Sequence, residues 1–198
     1  MATGCIFGNI VACAVTLPKG FQDDRVNDSK QLKHEDLYSI AEDLQERLVY
    51  AFGESPTEEI NGLRNIVKAD RLAMARAVEG LPEKPDVLFI DGRFTLPETG
   101  IESYAVIRGD TKVLGIAAAS ILAKDYRDHL MIREYGEKFR LYDIASNKGY
   151  RSPRHLIAIR KYGVTEHHRA YMPQIKMVLD GSYDAVIFRK YPGYWRTV

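Results

Sequence analysis

The sequence has little cysteine, almost no net charge and no long apolar run. Its 198 residues include two cysteines, Cys5 and Cys13. Two thiols in one apolar stretch make neither a disulfide framework nor a CxxC metal pair. Both read as free buried thiols in a reducing, cytoplasmic setting. The formal net charge is +1. That gives no global signal for nucleic acid or membrane, so any such signal must come from local clustering. No run of about 18 apolar residues is present, so no transmembrane span is expected. The opening lacks a basic n-region, which argues against a secretory signal. Repeats and low-complexity tracts are missing as well. What is there, 45% apolar and 28% charged residues, suits one large folded domain, or one domain with a small appendage.

Periodicity divides the chain into alternating elements. Residues 6–17, IFGNIVACAVTL, read as an apolar strand stopped by Pro18-Lys19-Gly20. Residues 28–52 read as a helix with Leu32, Leu37, Ile40, Ala41, Leu44 and Leu48 on one stripe and Asp28 or Ser29 as N-cap. Residues 58–80 read as a second helix. VLFID, ending at Asp91, and YAVIR, ending at Gly109-Asp110, read as short strands. Residues 115–139 read as a long helix with a small-residue start, and RHLIAIRKYG as a helix stopped by Gly163. Strands mixed with helices predict an α/β domain.

Three acids sit where chemistry is plausible. Asp91 and Asp110 end predicted strands, and Asp128 lies on the long helix. Ligand sites of α/β sheets gather at strand ends. Carboxylates converging there suit Mg²⁺, which takes one or two of them with water and substrate phosphate. Each acid also has a plain explanation. Asp-Gly and Gly-Asp are ordinary turn pairs, and Asp128 follows Lys124 at helical ion-pair spacing. Only the set of three, with the next segment, tips the reading toward chemistry.

That segment runs from Asn147 to Met172. It holds Lys148, Arg151, Arg154, Arg160, Lys161 and Arg169, with His155, His167 and His168, opposed only by Glu166. Such a patch is either a solvated helix face or a phosphate-binding surface. Tyr150, in a Gly-Tyr loop inside it, could stack on a sugar or base. An acidic cluster with a basic patch predicts a metal-dependent enzyme acting on a polyanion.

At this point the residues resemble the ribonuclease HII family over nearly the whole chain. NDSKQL is similar to its DSK segment, and EEINGLRNIVKADRLAMARAV to its NI…A…AM helix. LFIDG resembles its VDG strand end. GDTKVLGIAAASILAKDYRDHLM resembles its GDxKS…AAASIxAKxxRD block, the strongest signal. NKGYRSPRHLIAIRKYG with His168-Arg169 resembles its HKGYxTxxH…G…HR block. The resemblance implies an α/β, RNase H-like fold with a mixed central sheet flanked by helices. It implies a catalytic domain over 1–172 and a C-terminal helical or tail segment over 173–198. The activity implied is hydrolysis of RNA in RNA/DNA hybrids, and at single ribonucleotides in duplex DNA, with two Mg²⁺ or Mn²⁺ ions. A 5′-phosphate and a 3′-hydroxyl result. Asp91 and Asp110 then resemble the family's metal ligands, and Asp128 its helix aspartate near the site. Tyr150 resembles the tyrosine packed on the deoxyribose at the RNA–DNA junction. Thr3, Gly4, Asp28, Ser29, Lys30, Lys148, His168 and Arg169 are the other residues expected at the nucleic acid. A monomer is expected.

The sequence departs from the family's pattern at its start. ATGCIFGNIVACAVTLP lines up with the family's GRGPLAGPVVAAAVVLP, so Thr3 stands where the family has arginine. The family's preceding strand and acidic pair would fall before Met1. The first central strand is therefore expected to be missing, and the chain to be a truncated version of a longer protein. The alternative is a catalytically silent RNA/DNA hybrid-binding protein that keeps the basic patch. A nuclease of the same fold with another substrate fits less well, because the KGY block resembles a ribonucleotide-junction sensor.

Overall fold

The computed structural model describes residues 4–26 and 34–183. In chain order the elements are β1 (Ile10–Thr16), α1 (His34–Arg47), β2 (Val49–Ser55), α2 (Thr57–Leu63), α3 (Ile66–Glu79), β3 (Val87–Asp91), β4 (Glu102–Val106), α4 (Leu114–Leu130), α5 (Ile144–Asn147), α6 (Pro153–Tyr162) and α7 (Pro173–Leu179). The described residues form two compact units. The first holds residues 10–55 and 67–127; the second holds residues 4–9, 56–66 and 128–183.

The first unit carries the strands. β1 and β2 pair antiparallel, with Ile10 opposite Ser55 and Thr16 opposite Val49. β3 and β4 pair in parallel, with Val87 opposite Glu102 and Asp91 opposite Val106. The mixed character expected of the sheet is thus present as one antiparallel and one parallel pair. Among the described residues, however, the two pairs remain separate two-stranded sheets. A cavity of about 500 Å³ is lined by residues of both, including Ala12 and Val15 of β1 and Leu88 of β3, with Met74 of α3 and Ile116 and Ala119 of α4. The unit's core is built on the predicted stripe of α1. Leu37, Ile40, Ala41 and Leu44 are buried in one cluster with Ala117, Ala118, Ile121 and Leu122 of α4. Each fully buried leucine or isoleucine there contributes roughly 1.5–3 kcal/mol. Gly53 lets α3 press directly on β2. A Cβ at that position would come within 2.1 Å of the Ala73 carbonyl oxygen and 2.3 Å of the Ala77 nitrogen.

The second unit is helical and aromatic. Phe7 sits at its centre, fully buried, with its ring 5.2 Å from Phe139, 5.5 Å from Tyr135 and 5.0 Å from His168, all edge-on. Leu156, Ile157 and Ile159 of α6 and Ile175 and Val178 of α7 complete the cluster. The start of residues 173–198 therefore packs as a helix of this unit, and residues 184–198 lie outside the described residues.

Five elements differ from the sequence reading, two of them strands with shifted ends: β1 covers 10–16 rather than 6–17, and β4 covers 102–106 rather than 104–108. The helix predicted to 52 ends at Arg47, and β2 takes over at Val49. VYAF carries β-branched and aromatic residues that pair better against β1 than they continue a helix. The single helix predicted over 58–80 is two, because Arg64 adopts φ 49° and closes α2. The long helix is regular to Leu130 and continues as a π-helical turn over Met131–Tyr135.

Candidate functional site

In the first unit, β3 delivers Asp91 to its C-terminal end, beside the end of β4. The Gly92 N–H donates to the Val106 carbonyl at 3.0 Å, which fixes the chain as it leaves the strand. After β4 the chain makes a tight turn over Gly109–Thr111. The Gly109 N–H donates to Asp91 Oδ1 at 2.9 Å. Asp110, the next residue, is buried at 6% exposure. One turn thus ties the strand end to the residue before Asp110, with Asp91 holding the Gly109 N–H. Glycine fits closely there: a Cβ on residue 109 would lie 2.5 Å from Ile116 Cδ1, which would have to move, and 3.5 Å from the Asp91 Cα. The short residue lets the turn lie against the strand end, which sequence periodicity alone does not signal.

Asp91 accepts that N–H through one oxygen, so its second oxygen can serve a cation. Mg²⁺ typically takes one or two carboxylates, with water and phosphate completing the shell. Asp91 and Asp110 match that donor set for a single ion. Among the described residues no group of three or more His, Cys, Asp or Glu is placed to hold a metal. Asp128 is fully buried on α4 and belongs to the second unit.

In the second unit the Lys148-Gly149-Tyr150 turn is heavily constrained. Lys148 (φ 51°) and Gly149 (φ 79°) are consecutive left-handed residues. A non-glycine residue in that region costs on the order of 1 kcal/mol and persists only where its surroundings impose it. Asn147 imposes it. Its Oδ1 accepts from the Gly149 N–H at 2.8 Å, its Nδ2 donates to the Tyr142 carbonyl at 2.7 Å, and its carbonyl accepts from the Tyr150 N–H at 2.9 Å. The Lys148 ammonium folds back onto the Ala145 carbonyl. Tyr150 keeps 38% of its surface exposed. The Ile6 N–H donates to the Gly149 carbonyl at 3.0 Å, so the segment carrying Gly4 lies against this turn. A Cβ added at the exposed Gly4 would meet nothing within 4 Å. Gly4, Lys148 and Tyr150 are therefore gathered in one place, with the exposed Arg151 beside them.

His168 and Arg169, expected at the nucleic acid, are fully buried. The Arg169 guanidinium donates to three backbone carbonyls: Gly8 at 3.0 Å, Cys5 at 3.0 Å and Asn9 at 3.1 Å. Its own N–H donates to the Ile6 carbonyl at 2.8 Å. It clamps the segment from Cys5 to Asn9, and so places Gly4. His168 Nε2 lies 3.1 Å from His155 Nε2. Burial pushes His155 down to about 4 and His168 down to about 3, so both rings are neutral. Of the basic segment, Arg151, Arg154, Arg160 and Lys161 are exposed. Thr3, Asp28, Ser29 and Lys30 lie outside the described residues. Asn147 is a functional residue that periodicity and charge pass over, although an Asn two residues before a glycine is a known turn-former that bonds its own backbone.

Comparison with known proteins decides the family. A ribonuclease HII family model matches residues 2–175. The chain belongs to the ribonuclease HII family. It is 44% identical over 176 residues to a ribonuclease HII of Macrococcus caseolyticus, covering 89% of this chain and 65% of that protein. It is 45% identical over 167 residues to a ribonuclease HII of Bacteroides thetaiotaomicron, covering 84% of this chain and 82% of that one. The fold is similar to that of the ribonuclease H2 of Pyrococcus horikoshii. The TM-score is 0.76 at 22% identity, over 91% of this chain and 94% of that one. That likeness bears out the α/β, RNase H-like fold.

Proposed function

We propose that the protein is an endoribonuclease that hydrolyses RNA paired with DNA, including single ribonucleotides in duplex DNA, with Mg²⁺ or Mn²⁺ as cofactor. The observation that carries this reading is the Asp91–Gly109–Asp110 arrangement in a chain of the ribonuclease HII family. Asp91 and Asp110 would hold the cation. Bound there, it supplies Lewis acidity toward a phosphodiester and lowers the pKa of a coordinated water. The residues of this chain do the rest. The Gly109 N–H donates to one oxygen of the Asp91 carboxylate and so restrains it. Burial of Asp110 strengthens its pull on a cation by thinning the competing water.

In the second unit, Tyr150 offers its ring for stacking on a nucleotide, and Lys148 and Arg151 offer charge to the backbone. Gly4, beside that turn, leaves room for a ribose to approach the main chain. The 2′-OH is the group by which such a site tells RNA from DNA. Thr3, Asp28, Ser29 and Lys30 belong to the same reading as backbone neighbours, and Asp128 as an acid near the chemistry. His168 and Arg169 serve it by holding the loop and the N-terminal segment. A monomer in a reducing, cytoplasmic setting completes the reading.

Cleavage of three labelled duplexes tests it: all-DNA, uniform RNA/DNA, and DNA with one ribonucleotide, each with Mg²⁺ and then Mn²⁺. The expected result is metal-dependent cutting of the last two alone, leaving 5′-phosphate and 3′-hydroxyl ends. Cutting of the all-DNA duplex would overturn the substrate assignment. Hybrid binding without cutting would make this a binding protein instead.

A further inference from the structure

Two buried histidines in the second unit, His155 and His168, are linked to each other and to the Tyr150 turn. We propose that His155 and His168 are positioning residues that hold the Tyr150 carbonyl through one directed hydrogen-bond chain, and so set the exposed Tyr150 ring where a nucleic-acid strand meets it. This rests on the reading that Tyr150 meets substrate.

The direction of the chain follows from its one unambiguous donor. The Thr165 N–H can only donate, and it lies 2.9 Å from His168 Nδ1. That nitrogen is therefore the acceptor. In a neutral ring the proton then sits on Nε2. His168 Nε2–H donates across 3.1 Å to His155 Nε2. His155 Nε2 is thereby the unprotonated nitrogen, and His155 Nδ1–H donates to the Tyr150 carbonyl at 2.8 Å. Four ring nitrogens and two backbone groups are all satisfied in a single order. The protons are assigned from this network. The Thr165 hydroxyl, 3.0 Å from His168 Nδ1, accepts from the His167 N–H and adds a second contact at the head of the chain.

The chain ends at a place that packing alone does not demand. α6 is capped by Ser152, whose Oγ accepts from the His155 N–H at 3.2 Å, so the His155 side chain is not needed to start the helix. The Tyr150 carbonyl also accepts from the Ser152 N–H at 2.9 Å. It is thus held from the helix side by Ser152 and from the core side by His155. The preceding residues are held by Asn147 and Ile6. Two phenylalanines would fill the same space without desolvating four nitrogens. The polar chain stands where its outcome is the orientation of one exposed aromatic residue.

The test uses His155→Phe, His155→Asn and His155→Gln beside Tyr150→Ala. The probe is a fluorescein-labelled DNA duplex with one ribonucleotide, read by anisotropy in Ca²⁺. Asn places its amide where Nδ1 stood and restores the donor to Tyr150; Gln reaches toward His168 instead. Loss of one buried hydrogen bond predicts about tenfold weaker binding for His155→Phe and His155→Gln, with recovery of most of that loss in His155→Asn. The His155→Phe and Tyr150→Ala effects should not add, because one acts through the other. Amide exchange gives a readout without substrate. Gly149 to Ser152 should lose protection in His155→Phe while α7 keeps its own. Equal binding by the Asn and Gln variants, or additive effects with Tyr150→Ala, would overturn the proposal. If wild type fails to bind but the exchange result holds, the substrate reading falls and the positioning of the turn stands. Unchanged exchange over Gly149–Ser152 would overturn the positioning itself. His155→Asn and His155→Gln keep the comparison open should His155→Phe not fold.

Discussion

Replacing Arg169 by methionine tests whether a buried cation or a surface contact was selected at that position. The guanidinium makes three bonds to the Gly8, Cys5 and Asn9 carbonyls, at 3.0–3.1 Å. Hydrogen bonds to a charged group contribute roughly 1.5–3 kcal/mol each. At the lower figure three of them contribute about 4.5 kcal/mol. Removing the charge also removes its desolvation cost, which offsets part of this. A net loss of about 3–4 kcal/mol remains, a large share of the 5–15 kcal/mol typical of a domain. For a chain of this size that is roughly a 10 °C fall in Tm. Urea unfolding followed by circular dichroism reads it directly. Arg169→Lys should fall between, since an ammonium cannot span three carbonyls as a planar fork does. A loss under about 1 kcal/mol with strongly weakened hybrid binding would refute the clamp and put Arg169 on the nucleic acid.

Three further outcomes follow from the same structure. His155 is held neutral at about 4, against 6.5 when unfolded. The unfolded chain therefore binds the proton first as pH falls. Stability is fully present above pH 6.5 and declines toward pH 4, by about 2 kcal/mol between pH 7 and pH 5 from this ring alone. Urea midpoints at the two pH values check this, and His155→Phe should flatten the slope. Gly109→Ala forces Ile116 aside by its Cδ1 contact at 2.5 Å; about 1–2 kcal/mol of destabilisation and a drop in cleavage are expected. An unchanged cleavage rate would detach Gly109 from the site. Cys13 has its thiol pushed far up by burial, so it should react with a disulfide reagent at pH 8 only when the chain unfolds; fast reaction in native buffer would contradict this.

Where local pattern and chain contact agree, the sequence was a good guide. VLFID is a strand over the five residues that its β-branched and aromatic run marks, and RHLIAIRKYG is a helix stopped by Gly163 as read, opened by Ser152 and Pro153 from the preceding loop. The stripe of α1 does face a core. What failed was decided by distant partners. β2 is a strand because β1 offers it a ladder, with Phe52 opposite Cys13, far outside any local window. Asp91 and Asp110 could be singled out as strand-end acids, but their joining through the Gly109 N–H depends on how a turn packs against a strand. The basic segment shows the limit most clearly. Charge count places Arg154 and Arg169 in one patch, yet the first is exposed and the second is fully buried. Composition reports charge; only packing reports which charges meet solvent.

The measurement that reaches the central claim most directly is cleavage of a DNA duplex carrying one ribonucleotide, with Mg²⁺, by the chain beside Asp91→Asn and Asp110→Asn. Each variant keeps the shape of the side chain and removes a charge from the donor set. The account predicts cutting on the 5′ side of the ribonucleotide by the unmodified chain, and a loss of about a hundredfold or more in each variant. Cutting that persists in both variants would show that the metal and the scissile phosphate are held elsewhere.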